Sequence, residues 1–123
     1  MTVQELYTRI GGSYESAKRT MAMDKLISRF VLKFLNDQSF QRLSDSWEAR
    51  DPKGVFEGAH AMKGVCANLG MDSLSAAASE IAEEFRPGHD RKLEDQEITE
   101  RVEALRKAYD VTIEGIQAFA AEQ

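Results

Sequence analysis

The chain has little of what disulfide scaffolds, β-sheets and membrane spans require. Its 123 residues include one cysteine, two prolines and two histidines, and aromatic residues make up 8%. One cysteine cannot form a disulfide within the chain, so we interpret Cys66 as a small buried hydrophobic residue in a reducing compartment. Convincing runs of alternating β-branched residues are missing, and we therefore expect no strands.

Charge and hydropathy exclude further classes. The net charge is −5, and the 16 lysines and arginines are dispersed rather than forming a basic block, which argues against a nucleic-acid partner. No segment approaches the roughly 18 consecutive apolar residues of a membrane span, and the first residues lack the basic start and apolar stretch of a signal peptide. We expect a cytoplasmic protein that does not bind a membrane.

Apolar residues recur at three- and four-residue steps through most of the chain, which is typical of amphipathic helices. Each of Asp24, Asp51 and Asp72 is placed to cap a helix with its side chain. Whether the helices on either side of residues 36–39 are continuous is left open by the sequence. The predicted helices cover residues 2–10, 13–21, 24–36, 39–49, 52–69, 72–85 and 95–119.

Short connections between these helices favour antiparallel neighbours. The predicted fold class is therefore all-α: an antiparallel up-down-up-down four-helix bundle with short additional N-terminal helices. At 123 residues the length fits a single domain with one hydrophobic core. Within it, residues 1–22 are expected to form an N-terminal helical extension packed on the bundle, and residues 23–123 the bundle itself.

The helix predicted over residues 52–69 has clear end signals. Pro52 follows Asp51 and loses only a donor that has no partner at the first helical position, while Gly70 suits the left-handed residue that closes a helix. At about 100° per residue, one side of this helix is apolar and is expected to face the core. The residues on that side are Val55, Ala59, Met62, Val65, Cys66 and Leu69.

His60 points away from that apolar side, in the middle of the same helix. A lone histidine is most often core or surface filler, and its facing excludes only the core. Gly64 costs the helix about 1 kcal/mol relative to alanine, so we expect something to approach there closely. Lys63 has no acidic residue four positions away on its own helix, so the sequence offers it no such ion pair. The residues expected around His60 are Lys53, Phe56, Glu57, Lys63, Gly64, Ala67 and, at the margin, Asn68.

These residues resemble a known signature. The run His60-Ala61-Met62-Lys63-Gly64, followed by Ala67-Asn68-Leu69-Gly70, is similar to that of histidine-containing phosphotransfer (HPt) domains of bacterial two-component phosphorelays. The family pattern is His, two variable positions, Lys and Gly, then a small residue and a Leu-Gly helix end. The resemblance extends to residues 30–37 and to the helix from Leu74 to Phe85, and so covers most of the chain.

The resemblance implies a phosphocarrier rather than a complete enzyme. His60 would take a phosphoryl group from the aspartyl phosphate of one receiver domain and pass it to another, Lys63 would stabilise the group, and Gly64 would leave clearance for the partner. The implied partners are response-regulator receiver domains and a hybrid sensor histidine kinase, with Mg²⁺ on the receiver and no cofactor on this chain. We expect Phe56, Glu57, Ala67 and Asn68 to contact the partner, although Phe56 could equally belong to the edge of the core.

Two alternatives stay open. The first is a module of the same fold that docks receiver or kinase domains without being phosphorylated. The second is an unrelated helical-bundle enzyme or metalloprotein. A di-iron bundle needs two Glu-x-x-His pairs, and only Glu57 and His60 have that spacing, because Arg86 precedes His89 by three residues. We therefore predict no metal site, and a monomer whose reactive face stays open.

Overall fold

The computed structural model describes residues 1–123 and is entirely helical, as predicted. Seven helices were found, and their bounds agree with the sequence-based ones to within one or two residues at most ends. They are α1 (Val3–Ile10), α2 (Tyr14–Met21), α3 (Asp24–Phe34), α4 (Ser39–Glu48), α5 (Pro52–Asn68), α6 (Asp72–Glu84) and α7 (Asp95–Ala121).

The predicted aspartate caps were wrong in their details. Asp24 and Asp72 are the first residues of their helices, and Met23 and Met71 occupy the capping positions. Asp51 does occupy the capping position of α5, but its side chain makes no cap hydrogen bond. Asp24 instead accepts hydrogen bonds from the Tyr14 hydroxyl and the Lys18 ammonium, which ties α2 to α3.

Helices α3 and α4 are separate, which answers the question that the sequence left open. The carboxylate of Asp37 accepts from the backbone N–H of Ser39 at 3.1 Å and from its hydroxyl. This side chain satisfies an otherwise unpaired N–H at the start of α4, so a new helix begins there instead of the old one continuing.

Helices α4, α5, α6 and α7 run antiparallel to their neighbours. Along α4 and α5, Ser46 lies near Gly54 and Leu43 near Gly58, so the two chains run in opposite directions. The same holds for α5 and α6, where the Ser75 hydroxyl donates to the carbonyl oxygen of Lys63 at 2.9 Å. The four helices close into a bundle because α7 contacts both α6 and α4.

Side-chain contacts define that closure. Arg101 of α7 donates to Glu80 of α6 at 2.9 Å, and the indole N–H of Trp47 in α4 donates to Thr99 of α7 at 3.0 Å. The aromatic ring of Phe40 stacks on Tyr109 further along the same pair of helices. The predicted up-down-up-down bundle therefore matches these contacts, with α3 preceding its first helix.

The N-terminal helices share the hydrophobic core of the bundle. Leu6, Tyr7 and Ala17 are fully buried in one cluster with residues of α5 and α7. The Tyr7 hydroxyl donates to the carbonyl oxygen of Leu69 at 2.6 Å, at the C-terminal end of α5. This packing fixes that end of α5; the division of the chain at residue 22 stays a prediction. None of the seven helices combines the length and the apolar character needed to cross a bilayer.

Candidate functional site on helix α5

Helix α5 buries one side and exposes the other, as its periodicity predicts. Val55, Ala59, Met62 and Cys66 are fully buried, and Leu69 nearly so. Val65 is only half-buried, so its assignment to the core was partly wrong. His60 is exposed in the middle of the helix. Gly70 has φ +70° and closes the helix in the left-handed conformation that glycine adopts without strain.

Two further glycines of α5 allow α4 to approach closely. A Cβ atom at Gly58 would lie 2.6 Å from the backbone nitrogen of Leu43 and 3.1 Å from the carbonyl oxygen of Ser39. At Gly54 it would overlap the Ser46 side chain. By contrast, a Cβ atom at Gly64 would meet nothing within 4 Å. The space beside His60 is open because no neighbouring helix covers that side.

The imidazole of His60 is in contact with an aromatic ring. Phe56, one helical turn earlier, stacks on it with ring centroids 5.4 Å apart and an interplanar angle of 18°. The guanidinium carbon of Arg86, which follows α6, lies 5.5 Å from the centroid of the Phe56 ring. Phe56 is half-buried and packs against the core, so it both touches His60 and belongs to the core edge.

Arg86 is held by an acidic residue of α6. Its Nε and Nη2 atoms donate to the two carboxylate oxygens of Glu83, at 3.1 and 2.6 Å. These hydrogen bonds are the main reason that the pKa of Glu83 is lowered, and the positive charges of Arg86 and Lys63 add to the effect. Lys63 is half-buried. It has an acidic neighbour in Glu83, which lies on α6 rather than on the helix of Lys63.

The other predicted partner contacts lie in different surroundings. Glu57 is half-buried and pairs with Arg42 of α4, with 3.2 Å between Oε1 and Nη2. Ala67 and Asn68 are exposed on the last turns of α5. Asn68 borders a groove, whereas Ala67 lies on the open side with Gly64.

The groove lies between α2, α3 and the C-terminal part of α5 and has a volume of about 440 Å³. Phe30 of α3 lies at this groove and is 41% exposed, so the groove offers an aromatic surface to solvent. The residues that line the groove are Thr20, Met21, Phe30, Lys33, Phe34, Asn36, Asp37, Val65, Asn68 and Leu69.

The charge of this region is opposite to that of the whole chain. Helices α2 and α3 carry five basic residues against Glu15 and Asp24, a net charge of +3, although the chain as a whole carries −5. A partner with an acidic face would therefore be attracted to this part of the surface. The basic residues are Lys18, Arg19, Lys25, Arg29 and Lys33.

The model of one protein family matches residues 32–113 of the chain, and that family is the Hpt domain. The chain belongs to the Hpt family. The matched residues begin within α3, include all of α5 and α6 and end within α7, so α1 and α2 lie outside them. No curated protein and no solved structure matches the chain significantly.

Membership places the chain among the phosphotransfer modules of two-component signalling. Hpt domains are phosphocarriers rather than catalytic enzymes, and they interact with receiver domains and kinases. The resemblance inferred from the His60 run is thereby confirmed at the level of the family.

Sequence reasoning missed several residues of this Hpt surface. Glu83 in α6 and Arg86 just after it meet α5 only through the tertiary fold, so spacing along α5 could not reveal them. For Gly58 the sequence did offer a signal of close packing, because glycine is unfavourable in the middle of a helix. The pattern of residues around His60 also gave no reason to expect a groove. Nowhere do three or more His, Cys, Asp or Glu side chains converge to hold a metal ion.

Proposed function

We propose that this Hpt protein accepts a phosphoryl group on His60 from the aspartyl phosphate of a receiver domain and passes it to another receiver. The observation that carries the proposal is the exposed imidazole in the middle of α5 beside the open space at Gly64. A receiver can approach a nucleophile placed in this way without unfolding any part of the bundle.

The chemistry requires little from this chain. The unprotonated nitrogen of the neutral imidazole attacks phosphorus, a nitrogen–phosphorus bond forms, and the bond from phosphorus to the aspartyl oxygen breaks with its electron pair staying on the carboxylate. The proton on the other ring nitrogen then dissociates to water. The attacking nitrogen already carries a lone pair, so no neighbouring base is needed.

Lys63 would stabilise the transferred group. It lies one turn after His60, and its ammonium is a mobile point charge that can follow the phosphoryl oxygens. Charge stabilisation and positioning are the main sources of catalysis in phosphoryl transfer, and Mg²⁺ bound by the receiver would supply the rest.

The receiver would dock across the open side of α5 and the adjoining groove. The exposed Phe30 offers an apolar contact, and the positive charge of α2 and α3 complements a receiver's acidic pocket. Such an interface would be small and transient. A monomer in the cytoplasm, partnered by a hybrid sensor kinase and a response regulator, is the arrangement that we propose.

Phosphoryl transfer from a labelled receiver domain tests the function directly. The wild-type protein should acquire an acid-labile, base-stable label, and His60→Ala should acquire none. His89→Ala is the matched control, since His89 is the other histidine and lies exposed in the loop between α6 and α7, and it should be labelled like the wild type.

Label on the His60→Ala variant would overturn the assignment. An unlabelled wild-type protein that still binds the receiver would instead support the alternative of a docking module that is not phosphorylated. In a labelled wild type, Lys63→Ala should shorten the lifetime of the phosphohistidine or slow transfer more than it weakens receiver binding.

A further inference from the structure

The side chain of His60 packs on the ring of Phe56, which is in turn contacted by Arg86. Side chains of an α-helix tilt toward its N-terminus, which brings residue 60 over residue 56. The near-parallel rings and the 5.4 Å centroid separation lie within the range of offset stacking between aromatic groups. One side of the imidazole is thereby occupied, while the side toward Gly64 stays open.

The Phe56 ring is itself contacted by Arg86, which follows α6. The guanidinium carbon of Arg86 is 5.5 Å from its centroid, close enough for a cation–π interaction. Arg86 is exposed and would be mobile by itself, but its two hydrogen bonds to Glu83 form the planar fork that fixes a guanidinium. A connected series of contacts therefore runs from Glu83 through Arg86 and Phe56 to His60.

We propose that Phe56 and Arg86 are positioning residues, which hold the imidazole of His60 in the orientation needed for phosphoryl transfer. The proposal rests on the proposed function of His60 and adds to it two residues that do not touch the phosphoryl group. An unrestrained histidine on a helix surface samples several rotamers, and only some of them point a nitrogen at the partner. Small displacements of a reacting group cost large factors in rate, so restraint before docking raises the rate of the bound complex.

Transfer kinetics separate positioning from docking. For Phe56→Leu we expect the rate constant at saturating receiver to fall about three- to tenfold, with the half-saturating receiver concentration changed less than twofold. Phe56→Tyr keeps an aromatic face and should restore the wild-type rate. Arg86→Gln should lower the same rate constant about two- to threefold, because Phe56 remains but is less well held.

Two variants serve as matched controls. Phe85→Leu replaces another half-buried phenylalanine, which contacts Trp47 and Arg91. Arg101→Gln removes another surface arginine, which pairs with Glu80 and Glu97. Both should leave the rate of transfer unchanged. If Phe56→Leu fails to fold, Arg86→Gln keeps the proposal testable, since Arg86 is exposed.

Proton NMR of the His60 imidazole reports the stack without any partner. A stacked benzene ring shifts the imidazole protons by its ring current, so Phe56→Leu should move these resonances, whereas Phe56→Tyr and Phe85→Leu should not. Unmoved resonances in Phe56→Leu would overturn the stack. A change confined to the half-saturating concentration would overturn positioning and make Phe56 a docking residue. If the wild type is not labelled at all, the proposed function fails along with positioning, even where the NMR shifts show the stack.

Discussion

Helix α5 carries glycines on two sides, and only one of these sides is filled by a neighbouring helix. Gly54 and Gly58 lie against α4, where the backbone of Leu43 approaches so closely that a Cβ atom would collide with it. Gly64 lies in open space. The same residue type therefore has a packing function on the closed side and none within the chain on the open side.

The difference supports the proposed location of the functional surface on the open side. A glycine inside a helix costs about 1 kcal/mol relative to alanine. At Gly58 the close packing of α4 against α5 offsets that cost, but at Gly64 no contact within the chain does. This uncompensated cost beside the exposed His60 is what the proposed approach of a partner protein would explain.

Thiol reactivity should show the largest difference between the two sides. Burial on the closed side raises the pKa of the Cys66 thiol from its ordinary value of 9.0 to about 12. The adjacent residue Ala67 is exposed. Since only the thiolate reacts, we expect Cys66 to react with a disulfide reagent at pH 8 about a thousandfold more slowly than the cysteine introduced by Ala67→Cys in a Cys66→Ala background.

Both proteins should react at similar rates in urea, which controls for the reagent. Similar rates in the folded proteins would mean that the closed side opens readily to solvent.

The raised pKa of Cys66 also makes the free energy of unfolding depend on pH. The unfolded chain loses the thiol proton at lower pH than the folded one. The wild type should therefore lose stability as the pH rises from about 9 toward 12, and Cys66→Ala should lose less of it.

Matched alanine substitutions should change stability in opposite directions. Gly58→Ala forces the backbones of α4 and α5 apart, at a cost of up to about 3 kcal/mol, which exceeds the gain of about 1 kcal/mol in helix propensity. Gly64→Ala meets open space and should stabilise the protein by about 0.5–1 kcal/mol. The free energy of unfolding from urea denaturation measures both, and a Gly58→Ala variant as stable as the wild type would contradict the close packing.

The closed side of α5 could be predicted from the sequence only as far as apolar side chains reveal it. Periodicity placed Val55, Met62 and Cys66 correctly in the core. It could not reveal the role of Gly58, because the approach of a second backbone depends on which helix packs there. Val65 was misjudged for a related reason: its position on the helix is apolar, but the neighbouring helices leave the groove beside it.

The sequence predicted the main residues of the open side but not the residues of other helices that contact them. The spacing of His60, Lys63 and Gly64 placed these three residues on one face, because spacing within a helix fixes direction. Spacing along one helix does not show which residues of other helices will contact it. The pairing of Arg86 with Glu83, the ion pair of Glu57 with Arg42, and the influence of Lys63 on Glu83 all depend on the packing of α4 and α6 against α5.

Bulk added at Gly64 should separate folding from docking. Gly64→Gln places a long side chain in the open space beside His60 without touching the core, so the free energy of unfolding should stay within about 1 kcal/mol of the wild type. Transfer from the receiver should slow about tenfold, because the partner must approach over that side chain, and a tenfold change corresponds to about 1.4 kcal/mol.

Two variants control for this substitution. Ala104→Gln adds comparable bulk at an exposed position of α7 and should leave transfer unchanged, while Gly64→Ala should slow transfer less than twofold because a methyl group is small. If Gly64→Gln lowers helicity and transfer together, glycine at this position is needed by the fold. If it lowers transfer alone, the open side of α5 is open because a partner protein occupies it during transfer.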